Sequence, residues 1–118
     1  MDKLTNIEIG TFLKLFNRGG YVLDFTTNDF DVFTMESIGI ALCNEYHMSK
    51  GKSLAAYVNS ASTSDIEKLL NDLLSYYEEN YEQEYTENLT DDEYSYCQYN
   101  AEYARLYKKC RAYMNRVL

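Results

Sequence analysis

Cysteine and histidine are sparse in this chain, three and one residues, and the places where they come close together in sequence are few. Cys43 precedes the single histidine, His47, by four residues, so on a helix the two would share a face and could form part of a thiolate dyad. Cys43 sits in an apolar pattern, however, and no third group is spaced to orient the imidazole. One histidine also rules out a multi-histidine metal cage and a two-histidine acid/base pair. Glu78 and Glu82 stand at helical spacing and could converge on a divalent cation, but the Asp-rich spacing and central glycine of a calcium loop are absent. Lys50-Gly51-Lys52-Ser53 contains Gly-Lys-Ser without the upstream glycine and strand that shape a phosphate cradle, and Gly19-Gly20 follows a helical pattern instead of opening one. The expectation is a protein with no catalytic residues, no metal and no cofactor, one that binds.

What it would bind with is concentrated between residues 78 and 93. Glu78, Glu79, Glu82, Glu84, Glu87, Asp91, Asp92 and Glu93 lie there without a single Lys or Arg, interleaved with tyrosines that include Tyr81 and Tyr85. Such a surface repels nucleic acid and anionic membrane and attracts basic grooves, while tyrosines add large contact area at low entropic cost. A solvated face is the commoner meaning of a charge run, and acids at a helix start complement its dipole, which accounts for part of Asp91, Asp92 and Glu93. Glu78 to Glu87 fall near a helix end, where carboxylates oppose the dipole. These eight carboxylates with Tyr81 and Tyr85 are the candidate partner-binding residues. Tyr81 also fits a helix seam, and Glu84, as a surface group, is expected to be replaceable at little cost. The basic residues collect elsewhere: Arg105, Lys108, Lys109, Arg111 and Arg116 follow Glu102 with no acidic neighbour.

The chain has 118 residues, a net charge of -8 and 46% hydrophobic residues, enough for a core in one domain spanning 1–118. No apolar run approaches a membrane span and no basic, apolar leader opens the chain, so the expected location is cytoplasmic. Cys43, Cys97 and Cys110 lack the pairing of a zinc or redox motif and read as reduced structural thiols.

Three capping boxes, Thr5 with Glu8, Ser64 with Glu67 and Thr90 with Glu93, mark helix starts. The first helix covers about residues 6 to 17, with Ile9, Phe12, Leu13 and Phe16 on one stripe and two glycines after it. Tyr21 to Phe25 reads as extended, Thr27 or Asn28 as the cap of a short helix, and Ser49 to Ser53 as a polar turn before a helix near Leu54. Ile66, Leu70, Leu73, Tyr77 and Tyr81 then define one face, and Tyr96, Tyr99, Tyr103, Leu106, Cys110, Tyr113 and Val117 another. The fold class is therefore mainly α: a small N-terminal helical globule over residues 1–62 with at most a short strand, then a long antiparallel helical hairpin over 63–118. The acidic residues would ring its tip, clear of the globule. Tyr76, Tyr85 and Tyr94 would be exposed.

Asn17-Arg18-Gly19-Gly20-Tyr21-Val22-Leu23-Asp24-Phe25, then Asn28 to Phe33, Ile38-Gly39-Ile40, Tyr46 and Ser49-Lys50-Gly51-Lys52-Ser53-Leu54 resemble the N-terminal domain of AbiJ-type abortive-infection proteins over about residues 5 to 80. The resemblance implies a small helical sensor or adaptor placed before a helical, ribonuclease-like domain. The Arg followed by His that marks that second domain does not occur after Arg105, so the expectation is a recognition domain without its effector half. Two readings follow. One is an anti-CRISPR-type inhibitor that mimics DNA and occupies the basic nucleic-acid-binding surface of an immune effector nuclease, alone or as a homodimer, with no direct contact to nucleic acid or membrane. The other is a detached sensor or regulatory domain of an abortive-infection defence protein.

Overall fold

Thr5 accepts a hydrogen bond from the Glu8 N–H while the Glu8 carboxylate accepts one from the Thr5 N–H, and this reciprocal cap starts α1 (Asn6–Phe16). The computed structural model describes residues 3–86 and 99–118. After α1, β1 (Asn17–Arg18) and β2 (Tyr21–Val22) form a minimal antiparallel hairpin pairing Asn17 with Val22 and Arg18 with Tyr21. Gly19 and Gly20 turn it with φ of +63° and +94°, angles that glycine adopts without the Cβ penalty. The remaining described elements are helical: α2 (Thr27–Ile38), α3 (Leu42–Tyr46), α4 (Lys50–Ser60), α5 (Thr63–Asn80), α6 (Glu82–Tyr85) and α7 (Ala101–Val117). Among the described residues the fold is mainly α with one short two-stranded hairpin. No described helix is long and apolar enough to cross a membrane.

Several helix starts differ from the sequence expectation, each because a better donor–acceptor arrangement wins. Thr26, not Thr27 or Asn28, caps α2 by accepting from the Asp29 N–H. Ser62, not Ser64, caps α5, and this leaves Glu67 to accept the Leu4 N–H at 3.2 Å across the fold. Ser49 caps α4, so Lys50 to Ser53 are helical and not a turn. Gly51 allows a close approach there: its N–H donates to the Gly20 carbonyl at 3.1 Å, and a Cβ would stand 3.3 Å from the Gly20 carbonyl carbon, tight enough that the Gly20 backbone would have to give by a few tenths of an ångström. Gly39 adopts φ +75° and ends α2, dividing the apolar pattern that continues into α3. Thr90 and Glu93 lie outside the described residues; α7 is capped instead by Asn100, whose side chain accepts from the Glu102 and Tyr103 N–H groups.

The core is centred on α5, which buries Ile66, Leu69, Leu70, Leu73, Leu74 and Tyr77. Phe12, Leu15 and Phe16 of α1, Phe30 of α2 and Leu54 of α4 are excluded from solvent in the same cluster. Helix α7 runs antiparallel to α5: Arg111 bonds Glu78 near the end of α5, whereas Arg116 reaches Lys3, whose neighbour Leu4 is tied to Glu67 near its start. Yet α7 packs more extensively on α1 than on α5. With partners on more than one side its inward stripe broadens. Cys110 is buried as expected, and Tyr103, Leu106, Tyr113 and Val117 are half-buried, but Met114 and Ala104 are more deeply enclosed and Tyr99 is 42% exposed. Tyr96 falls outside the described residues.

Candidate functional site

The described part of the acidic run does not stand clear of the globule. Tyr81 ends α5 and α6 follows at once, with the Asn100 N–H donating to the Glu84 carbonyl at 2.9 Å, so residues 78–86 are pinned against the start of α7. Two of the candidate carboxylates are consumed in this docking.

Glu84 accepts both terminal nitrogens of Arg18, at 2.8 and 3.3 Å, and the Tyr77 hydroxyl at 2.8 Å. Its side chain is 11% exposed and that of Arg18 21%. Arg18 is oriented by its Nε donating to the Leu15 carbonyl and by the Tyr103 ring, 3.8 Å from its guanidinium carbon. Burial works against the Arg18 charge, but the hydrogen-bonded Glu84 more than offsets it and its pKa is raised. Burial, then the Glu84 hydrogen bond, push the Tyr77 phenol far above its ordinary value. The expectation that Glu84 is a dispensable surface group is therefore corrected: it is a buried partner of an arginine 66 residues away.

Glu78 accepts hydrogen bonds from Arg111 and from the Tyr107 hydroxyl. Above it the Tyr85 ring stacks on Tyr107 with centroids 4.2 Å apart, and the Tyr85 hydroxyl donates to the Glu78 carbonyl at 3.1 Å. Burial first, then Glu78, raise the Tyr107 phenol to about 12. Tyr81 stacks on Tyr77 at 5.3 Å and is half-buried; burial, then Asp24, push its phenol up. Tyr76 and Tyr85, expected to be exposed, are half-buried. Tyr76 stacks on Phe25 at 4.4 Å and its hydroxyl donates to Asp24 at 2.7 Å. Tyr76 is covered by Phe25 and Phe33, and Tyr85, itself on α6, by Tyr77 and Tyr107.

Glu79 and Glu82 are exposed. Glu87, Asp91, Asp92, Glu93 and Tyr94 lie outside the described residues. The structure thus brings Glu78, Glu84, Tyr81 and Tyr85 together as a packed junction and leaves Glu79 and Glu82 facing water. Arg18 is the functional-looking residue that sequence reasoning passed over. Its only local hint was a base beside a Gly-Gly turn, and its partner is remote in sequence.

The Cys–His pair is not poised for nucleophilic chemistry. Burial, then nearby Asp31, raise the Cys43 thiol, opposing thiolate formation. His47 is exposed at the C-cap of α3 with φ +55°. Asp31 is itself occupied, accepting the Cys43 and Asn44 N–H groups at 2.8 and 3.2 Å and capping α3 from a distance. Cys110 is pushed up to about 12 by burial alone. Among the described residues no group of three or more His, Cys, Asp or Glu side chains could hold a metal ion. No protein-family model matches the chain, and no match is found among curated proteins or solved structures.

Proposed function

We propose that the chain is a non-enzymatic, acidic protein-binding module of phage–bacteria conflict, an anti-CRISPR-type inhibitor that occupies the basic nucleic-acid-binding surface of an immune effector nuclease. The observation that carries this reading is the base-free run from Glu78 to Glu93. Internal pairing takes up Glu78 and Glu84; Glu79 and Glu82 face solvent, and Glu87, Asp91, Asp92 and Glu93 continue the same sequence without a base. Density of negative charge without compensating cations is what a surface evolved for phosphate attracts. The test is a mobility shift in which the protein is titrated against a basic CRISPR effector and labelled DNA. DNA binding should be lost at saturating protein and protected by preloading the effector with nucleic acid. Charge reversal at Glu79, Glu82, Asp91 and Asp92 should weaken the inhibition, most at low salt, because exposed charges are screened over about 8 to 10 Å at physiological ionic strength. Persistent DNA binding at saturation, or inactivation with turnover by sub-stoichiometric protein, overturns the proposal.

A second reading, a detached sensor domain of an abortive-infection protein, is favoured by the contact of Gly20 with Gly51. The two segments that carry the AbiJ resemblance pack against each other there, as parts of one unit would. On this reading the protein raises the activity of a separately supplied nuclease instead of lowering it.

A further inference from the structure

Helices α2 and α5 leave between them a cavity of about 300 Å³, open to solvent. Phe33 and Tyr76 line it, Tyr76 lying edge-on to Phe33 with centroids 5.8 Å apart and held from behind by Phe25. Asp72, lower on the α5 wall, is already satisfied: it accepts from Ser37 at 2.6 Å and pairs with Lys68 at 3.0 Å. Glu36 on the α2 wall and Glu79 on the α5 wall are exposed and without a partner among the described residues. On the same helix as Glu36, Val32, one turn earlier, and Met35 are each 51% exposed, outside the lining. Aromatic walls and two uncompensated carboxylates on opposite sides suit a long apolar stem that ends in a cation and disfavour an anionic ligand.

We propose that this groove seats an arginine side chain carried on an amphipathic segment of the partner protein, its stem against Phe33 and Tyr76 and its guanidinium between Glu36 and Glu79. The guanidinium offers five donors in a planar fork that suits carboxylate oxygens, which a lysine ammonium matches less well. The inference rests on the protein-binding reading and adds to it a shaped contact that uses Glu36 and Glu79.

The probe is a synthetic amphipathic peptide with one arginine among leucines and alanines, together with its citrulline counterpart, which keeps the shape and removes the charge. Titrated into the ¹⁵N-labelled full chain, the arginine peptide should shift amides of residues 32–37 and 72–79, and the citrulline peptide should bind about tenfold more weakly. Glu36→Gln should cost a similar factor. Ser75→Phe fills the groove without changing charge and should abolish seating, with circular dichroism to verify the fold; Glu36→Gln, at an exposed position, carries the test if that variant misfolds. Glu45→Gln, an exposed charge elsewhere, should stay within about twofold. Binding indifferent to Glu36→Gln, or weakened equally by Glu45→Gln, overturns the groove. DNA competition that still responds to charge reversal at Asp91 and Asp92 would then leave the inhibitor reading standing by itself.

Discussion

Around Phe12, Phe16, Leu70 and Leu73 the helices meet through side chains that are apolar and wholly shielded from water. Where α6 and α7 meet α5, shielding is reached with Tyr77, Glu84 and Arg18, and beside them Tyr107, Glu78 and Arg111. The aliphatic centre is non-directional: its stabilisation scales with area removed from water. The tyrosine junction is directional, because each polar group it encloses must meet one partner at one distance or remain desolvated and unpaired. Enclosed ion pairs contribute little net stability against an apolar alternative, yet removing one member is costly. The centre therefore supplies most of the free energy, and the junction specifies where the end of α5, α6 and the start of α7 dock.

The largest loss of stability is expected at the centre. Leu73→Ala should destabilise by about 3 to 5 kcal/mol, read by urea unfolding at unchanged m-value, because Leu73 is fully enclosed and the cavity left behind cannot fill. Leu106→Ala, at a half-buried position, should cost less than half of that. A value for Leu106 equal to that of Leu73 would mean that α7 is seated more deeply than the structure shows.

At the junction, Glu84→Gln should cost about 2 to 3 kcal/mol, since it leaves Arg18 partly enclosed without its counter-charge. The Arg18→Met and Glu84→Gln double variant should recover part of that loss. A double variant no better than the sum of the single ones would show that the pair is not coupled and that the junction is no more directional than the centre.

A smaller effect is expected where α7 closes on α1. Arg116 bonds both Glu8 oxygens, at 2.5 and 2.6 Å, and with the Thr5 N–H it lowers the Glu8 pKa from 4.5 to about 2. A carboxylate whose folded pKa is depressed stabilises above its unfolded value and loses that contribution as pH falls through the folded one. Stability should therefore decline between about pH 4.5 and 2, and Glu8→Gln should flatten this part of the acid limb while costing about 1 to 2 kcal/mol at neutral pH. An unchanged acid limb in the variant would remove Glu8 as its source. Smallest of all, Glu82→Gln should move stability by less than about 0.5 kcal/mol, the value for an exposed side chain, although Glu82 stands two residues from Glu84.

Much of the architecture was legible in local patterns. The Thr5–Glu8 box, the Gly19-Gly20 break and the apolar face of Ile66, Leu70, Leu73 and Tyr77 appear where spacing puts them, since caps, turns and amphipathic stripes depend on residues within about four positions of each other. Neighbouring hydroxyls compete for the same cap: Ser62 takes it in place of Ser64, and Glu67 accepts the Leu4 N–H, a partner 63 residues away that local spacing does not reveal. The broader stripe of α7 likewise depended on a second neighbour, α1, which no periodicity within α7 reveals.

The candidate site divides along the same line. That residues 78–93 are acidic and free of bases was determined by the sequence itself, because charge is a property of each residue and its sum needs no coordinates. Which of those charges remain available was decided by the tertiary structure. Arg18 and Arg111 reach Glu84 and Glu78 only because α1, its hairpin and α7 close over the end of α5, turning two exposed-looking carboxylates into internal partners and leaving Glu79 and Glu82 to the solvent. Pairing between groups far apart in sequence follows distance in space, and the packing of the whole chain sets that distance.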